Sequence, residues 1–113
     1  MKIYHNPRCS KSRQALQLIR EQGLEPEIIL YLESPPTEAE LRDILQKLGK
    51  NEDDILRKCE ADYKAHFTSI SRTDQKALID LLVAYSKVTE RPIVVLGAKA
   101  VIGRPPEAIT VLF

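Results

Sequence analysis

Lys2-Ile3-Tyr4-His5-Asn6-Pro7-Arg8-Cys9-Ser10-Lys11-Ser12-Arg13-Gln14 sets one cysteine between a short apolar strand and a segment that reads as a helix. Lys2-Ile3-Tyr4 opens as a buried strand. Over residues 10–22, Ala15, Leu16, Leu18 and Ile19 recur at helical spacing, and Gly23 stands where glycine favours a helix end. Cys9 therefore meets the free N–H groups of a helix start, which stabilise negative charge. The thiolate is the reactive form of cysteine, and such a position favours it, as do nearby cations. Arg8, Lys11 and Arg13 stand near it in sequence, and His5 is available as a further cation. A polar loop that merely contains an inert cysteine is the weaker reading, because structural cysteines sit in apolar surroundings.

Working outward, Pro26 leads into Glu27-Ile28-Ile29-Leu30-Tyr31-Leu32, a near-continuous apolar run suited to a central strand. Strand, helix and strand make a right-handed parallel crossover, in which ligands bind at the carboxyl ends of the strands, where Cys9 falls. Ser34-Pro35-Pro36-Thr37 is a break. Thr37 and Glu40 form a capping box ahead of Leu41, Ile44, Leu45 and Leu48, and Gly49 ends that helix. Asn51 caps a short helix carrying Ile55, Leu56 and Arg57. A further helix runs from about Asp74 to Tyr85, with Leu78, Leu81, Leu82 and Tyr85 on one face.

Arg91-Pro92-Ile93-Val94-Val95-Leu96 reads as a third strand, Gly97-Ala98-Lys99 as a tight turn and Ala100-Val101-Ile102 as its antiparallel partner. Gly103-Arg104-Pro105-Pro106 breaks the pattern, and Pro105 or Pro106 starts a final helix. The order is β-α-β, a helical insertion over about 33–88, then β-β-α. These elements predict one α/β domain over 1–113: a thioredoxin-like fold with a four-stranded mixed sheet and helices on both faces. In that fold a cis proline opening the third strand brings backbone beside the cysteine, which makes Pro92 the cis-proline candidate.

Composition narrows the function. Apolar residues make up 43% and charged ones 29%, an ordinary globular balance, and a net charge of +1 gives no bulk attraction to nucleic acid or anionic membrane. No apolar run has membrane-spanning length and no signal-peptide core is present, which points to the cytoplasm. In that reducing compartment two cysteines are redox or catalytic groups rather than a staple. Metal binding is not expected, since neither His5 with Cys9 nor Cys59 with His66 has a second ligand pair at zinc-site spacing.

Cys9-Ser10-Lys11-Ser12 is a C-x-x-S arrangement. Ser12 can donate a hydrogen bond but cannot resolve a disulfide, so Cys9 must be recycled by Cys59 or by an outside thiol. Lowering a thiol pKa from about 8.5 to about 6.5 takes roughly 2.7 kcal/mol. A helix terminus supplies about 0.3–1 kcal/mol, and up to about 2 when partly buried. Further hydrogen bonds or cations are needed. Arg57, Arg91 and Arg104 are candidates, although each by itself reads more readily as a solvated surface arginine. Together they would present planar forks suited to a tetrahedral oxyanion around a nucleophile. The C-x5-R loop of low-molecular-weight tyrosine phosphatases is absent, because Ala15 stands six residues after Cys9.

The loop His5-Asn6-Pro7-x-Cys9, then Tyr31-Leu32-Glu33 before Pro-Pro, Leu56-Arg57-Lys58, Arg91-Pro92-Ile93-Val94-Val95 and Gly103-Arg104-Pro105 follow in a distinctive order. The chain resembles the ArsC family over essentially its full length, and most of all its short YfgD-like members. These are glutathione- and glutaredoxin-coupled arsenate reductases of bacteria. The resemblance implies that Cys9 attacks arsenate held by Arg57, Arg91 and Arg104. His5, Asn6 and Ser12 would shape the loop and lower the cysteine pKa. Glutathione would attack the adduct and glutaredoxin complete the reduction to arsenite, with no bound cofactor and a monomeric enzyme.

Cys59, two residues after Arg57, departs from the family pattern. It reads as a partly buried helix residue, or more sharply as an internal resolving thiol. Two other functions stay open: a redox-responsive Spx-type regulator that binds RNA polymerase, and a glutathione-linked thiol enzyme with another substrate. The regulators typically carry C-x-x-C, which Ser12 breaks.

Overall fold

A computed structural model describes all 113 residues, which divide into two compact units: Met1–Ser34 with Arg91–Phe113, and Pro35–Glu90. In the first unit β1 (Lys2–His5) is followed by helix α1 (Ser10–Glu21) and β2 (Glu27–Leu30), and the chain returns as β3 (Ile93–Leu96) and β4 (Lys99–Ile102). The sheet order is β2-β1-β3-β4, with β1 parallel to β2 and the other two pairings antiparallel. This four-stranded mixed sheet with flanking helices has the thioredoxin-like form.

Register explains the core. Ile3 pairs with Val94 and Val94 with Val101, so alternation along each strand sets all three on one face. Against that face lie Ala15, Leu16 and Ile19 of α1, and Ile109 of a C-terminal 3-10 helix, Pro106–Leu112. The buried stripe of α1 is Ser12, Ala15, Leu16 and Ile19, at i, i+3, i+4 and i+7. Ser12 is thus turned inward by the same periodicity that buries the helix. Both helical elements of this unit share the Ile3–Val94 face.

Three features differ from expectation here. β2 is an edge strand rather than a central one; Ile28 and Leu30 are 38% and 36% exposed. It stops at Leu30, whose carbonyl accepts the N–H groups of Glu33 and Ser34 (both 2.9 Å), folding Tyr31-Leu32-Glu33 into a turn. An apolar run reports burial tendency without saying how many neighbours a strand has. The last helix is 3-10, with Pro105 at its N-cap and Pro106 in its first turn. The β3–β4 connection is a two-residue turn led by Gly97, whose φ of +60° suits glycine.

The second unit is helical. Helix α2 (Glu38–Leu48) starts with the capping box: Glu40 N–H donates to Thr37 Oγ1 (3.2 Å) and Thr37 N–H to Glu40 Oε1 (3.1 Å). Leu41, Ile44 and Leu45 are buried, and Gly49 ends the helix. The turn after Asn51 is a 3-10 helix, Glu52–Ile55, that ends before Leu56 and Arg57. Leu56 instead bridges Thr89, Arg57 N–H donates to the Val88 carbonyl (2.6 Å) and Glu90 N–H to the Ile55 carbonyl (2.8 Å). Pairing with residues 88–90 draws that segment out of helical form. Helix α3 (Ala61–His66) buries no residue, so it left no apolar period in the sequence. Helix α4 (Gln75–Ala84) is capped by Asp74, which accepts the Ala77 N–H (3.2 Å). Its buried face is Leu78, Ile79 and Leu82; Leu81 and Tyr85 lie at its margin, and the Tyr85 ring stacks on His66. No helix is long and apolar enough to cross a membrane.

Candidate active site

Asn6 folds the loop after β1. Its carbonyl accepts the Cys9 N–H (3.0 Å), its Oδ1 accepts the Arg8 N–H (3.0 Å), and its own N–H donates to Ser12 Oγ (3.1 Å). Asn readily makes such side-chain turns. Cys9 then becomes the N-cap of α1 with extended backbone (φ −94°, ψ 121°), and its carbonyl accepts the Arg13 N–H at 3.0 Å. The Cys9 side chain makes no cap hydrogen bond, but the first-turn N–H groups of Lys11 and Ser12 stand close enough to favour a negative sulfur.

Competing effects set the thiol pKa. Burial, the largest, pushes it up. The Ser12 N–H, the Arg91 charge, the Lys11 N–H and an Arg91 side-chain hydrogen bond together outweigh it, and the pKa lies below its ordinary value. The charge acting on the sulfur therefore comes from Arg91, far away in sequence. Within the loop, Arg13 instead donates to the Pro7 carbonyl (2.9 Å).

His5 is not a cation here. It is 6% exposed, and burial first, then the charges of Arg20 and Arg13, hold its pKa below the ordinary value, so the ring is neutral at neutral pH. Its Nδ1 shares a 2.6 Å hydrogen bond with Ser12 Oγ, and Ser12 is fully buried. The Ser12 hydroxyl thus ties β1 to α1, while its backbone N–H serves the sulfur.

β3 and the turn after β4 bring in two arginines. Arg104 donates through Nε to the Arg91 carbonyl (2.8 Å), and its Nη2 stands 3.7 Å from Cys9 Sγ. Arg91 Nε is buried without a protein acceptor. The Arg91–Pro92 and Arg104–Pro105 peptides are both cis. Nothing in the sequence showed the Arg104–Arg91 bond; residues thirteen apart meet there because β3 and β4 form a hairpin.

The remaining candidates lie in the second unit. The Arg57 guanidinium pairs with Glu60 and reaches the Lys87 carbonyl (3.5 Å). Cys59 is exposed in a turn rather than half-buried in a helix, because residues 58–60 follow the Leu56–Thr89 bridge and precede α3. No group of three or more His, Cys, Asp or Glu side chains is gathered to hold a metal.

A thiol at a helix N-terminus beside two arginines has the chemistry to hold an anion next to a nucleophile. Comparison with known proteins gives the family. The chain is 51% identical over 110 residues to the uncharacterized protein YfgD of Escherichia coli, covering 96% of this chain and 92% of that protein. It is 42% identical over 110 residues to an arsenate reductase of Neisseria meningitidis serogroup B, covering 96% and 94% of the two chains. Among solved structures, an arsenate reductase from Vibrio cholerae superposes with a TM-score of 0.93 at 41% identity, over 100% of this chain and 98% of that one. The ArsC family model matches residues 4–112, and with these relatives over nearly the whole length the chain belongs to the ArsC family.

Proposed function

We propose that the protein is an arsenate reductase in which Cys9 is the nucleophile. The observation that carries this reading is the thiol itself: its pKa is lowered by Ser12 N–H, Lys11 N–H and Arg91, and Arg104 Nη2 stands 3.7 Å from it. Arg91 Nε, a buried donor without an acceptor, is the group an oxyanion would satisfy. Relatives at 41–42% identity that carry the name arsenate reductase support the same substrate.

The cysteine thiolate attacks arsenic(V), forming an S–As bond and expelling one arsenate oxygen as water after protonation. Arg91 and Arg104 stabilise the oxygens that gather charge, and the family resemblance adds Arg57 to the oxyanion set. Position 12 is a serine, so the thiols that follow come from outside the loop. Glutathione attacks arsenic in the adduct, and a second oxygen leaves as water. A glutaredoxin thiol then attacks the glutathione sulfur; that S–As pair of electrons stays on arsenic, and a glutaredoxin–glutathione mixed disulfide leaves. Water releases arsenite from Cys9, which returns as the thiol, so two outside thiols supply the two electrons.

The test is arsenate-dependent NADPH consumption with glutathione, glutaredoxin and glutathione reductase. Wild type should turn over, Cys9→Ser should not, and omission of glutaredoxin should stall the reaction after one equivalent. Turnover by Cys9→Ser equal to wild type would remove the mechanism.

A further inference from the structure

Gly103 sits where three elements converge. A Cβ built there would lie 2.8 Å from Pro92 Cγ, 3.3 Å from Ile109 Cγ2 and 3.4 Å from Ala15 Cβ. All three neighbours are buried, in the cis-proline strand entry, the C-terminal 3-10 helix and α1. The 2.8 Å approach is shorter than a carbon pair tolerates, and the atom met is in a proline ring rather than at the free end of a flexible side chain. The same residue donates its N–H to the Pro92 carbonyl (2.8 Å). Both residues of this closest contact adjoin a site arginine: Pro92 follows Arg91, and Gly103 precedes Arg104.

We propose that Gly103 is a positioning residue: its missing Cβ lets β3 and the turn after β4 close to the spacing at which Arg104 bonds the Arg91 carbonyl and both arginines face Cys9. A methyl at this position pushes the Pro92 backbone away by some tenths of an ångström. That displacement falls directly on the 2.8 Å bond from Arg104 Nε to the Arg91 carbonyl. The inference rests on the reading of Cys9 as a thiolate in an anion site, and concerns what holds that site in shape.

The experiment uses the full chain with Cys59→Ser, so that Cys9 is the single thiol. The rate of iodoacetamide alkylation is followed against pH, and sulfate is titrated as the protecting anion. Gly103→Ala should move the alkylation midpoint to higher pH and weaken sulfate protection about tenfold, the loss of one charge-assisted hydrogen bond. Ile109→Ala is the control: it loosens the same core without touching Pro92, and should lower stability while leaving midpoint and protection near wild type. If Gly103→Ala does not fold, Gly103→Ala/Ile109→Ala gives the new methyl room on one side, and should fold with the same shift. Wild-type titration in a folded Gly103→Ala protein, or an equal shift in Ile109→Ala, overturns the positioning role. An ordinary thiol midpoint without sulfate protection in the Gly103 parent protein would overturn the anion-site reading, and this inference with it.

Discussion

Arg104 fastens the carbonyl of Arg91 with one nitrogen (2.8 Å) and offers another to Cys9 Sγ (3.7 Å). One planar side chain thus braces the residue before Pro92 and lines the face where an oxyanion would meet the sulfur. A lysine has a single nitrogen and cannot do both.

Arg104→Lys should therefore resemble Arg104→Ala in anion binding, although it keeps the charge. Sulfate protection of Cys9 should weaken about tenfold or more in both. Arg91→Ala should weaken protection as well and in addition raise the alkylation midpoint, because Arg91 both offers its unpaired Nε to an oxyanion and supplies charge that lowers the Cys9 pKa. Arg104→Lys with full protection would mean that the fork geometry is not used.

The depressed thiol pKa carries a pH dependence of stability. Folded Cys9 releases its proton below the ordinary value of 9.0, so between its folded pKa and 9.0 the unfolded chain holds more protons. The contribution is complete above 9.0 and is lost as pH falls through the folded pKa. Urea denaturation of reduced wild type and of Cys9→Ser should give a stability difference that grows in favour of wild type as pH rises through this window. His5 acts with the same sign lower down: its stabilisation is complete above 6.5 and declines on acidification through its lowered pKa.

What was legible in the sequence was local. The Thr37–Glu40 box, the α1 stripe and the placing of Cys9 at a helix start all depend on residues within two turns of each other. The β-α-β and β-hairpin halves followed from apolar runs and punctuation. What depended on distant chain segments was not legible. Arg8, Lys11 and Arg13 were the obvious cations beside Cys9, yet the acting charge belongs to Arg91, delivered by β3 pairing with β1. His5 reads as a cation in the sequence, but its burial in the fold disfavours the charge. The short strand-like pairing of Leu56 with Thr89 likewise ended the helix that Asn51 caps before it could reach Leu56 and Arg57.

Ser12 separates a structural role from an electrostatic one. Its hydroxyl serves His5 Nδ1 and Asn6 N–H inside the fold, while its backbone N–H faces the sulfur. Ser12→Ala strands the buried His5 Nδ1 and the half-buried Asn6 N–H at a cost of about 1–3 kcal/mol, measurable as a lower urea midpoint. The N–H survives the substitution, so the alkylation midpoint should move less than in Arg91→Ala. A larger shift in Ser12→Ala would assign the hydroxyl a direct part in holding the thiolate.

Arg57 offers a test that can raise affinity rather than lower it. Its guanidinium is committed to Glu60, with side chains 16% and 27% exposed. If Arg57 belongs to the oxyanion set, arsenate must compete with that carboxylate for the same donors. Glu60→Gln keeps the shape and removes the charge, freeing about 0.5–1 kcal/mol of the pairing. The KM for arsenate should then fall roughly two- to fivefold with kcat little changed, since the gain is in ground-state binding. Arg57→Ala should abolish the effect of Glu60→Gln, because the carboxylate then has nothing to withhold. An unchanged KM in Glu60→Gln, together with a near-normal KM in Arg57→Ala, would remove Arg57 from the anion site and leave Arg91 and Arg104 to hold the substrate.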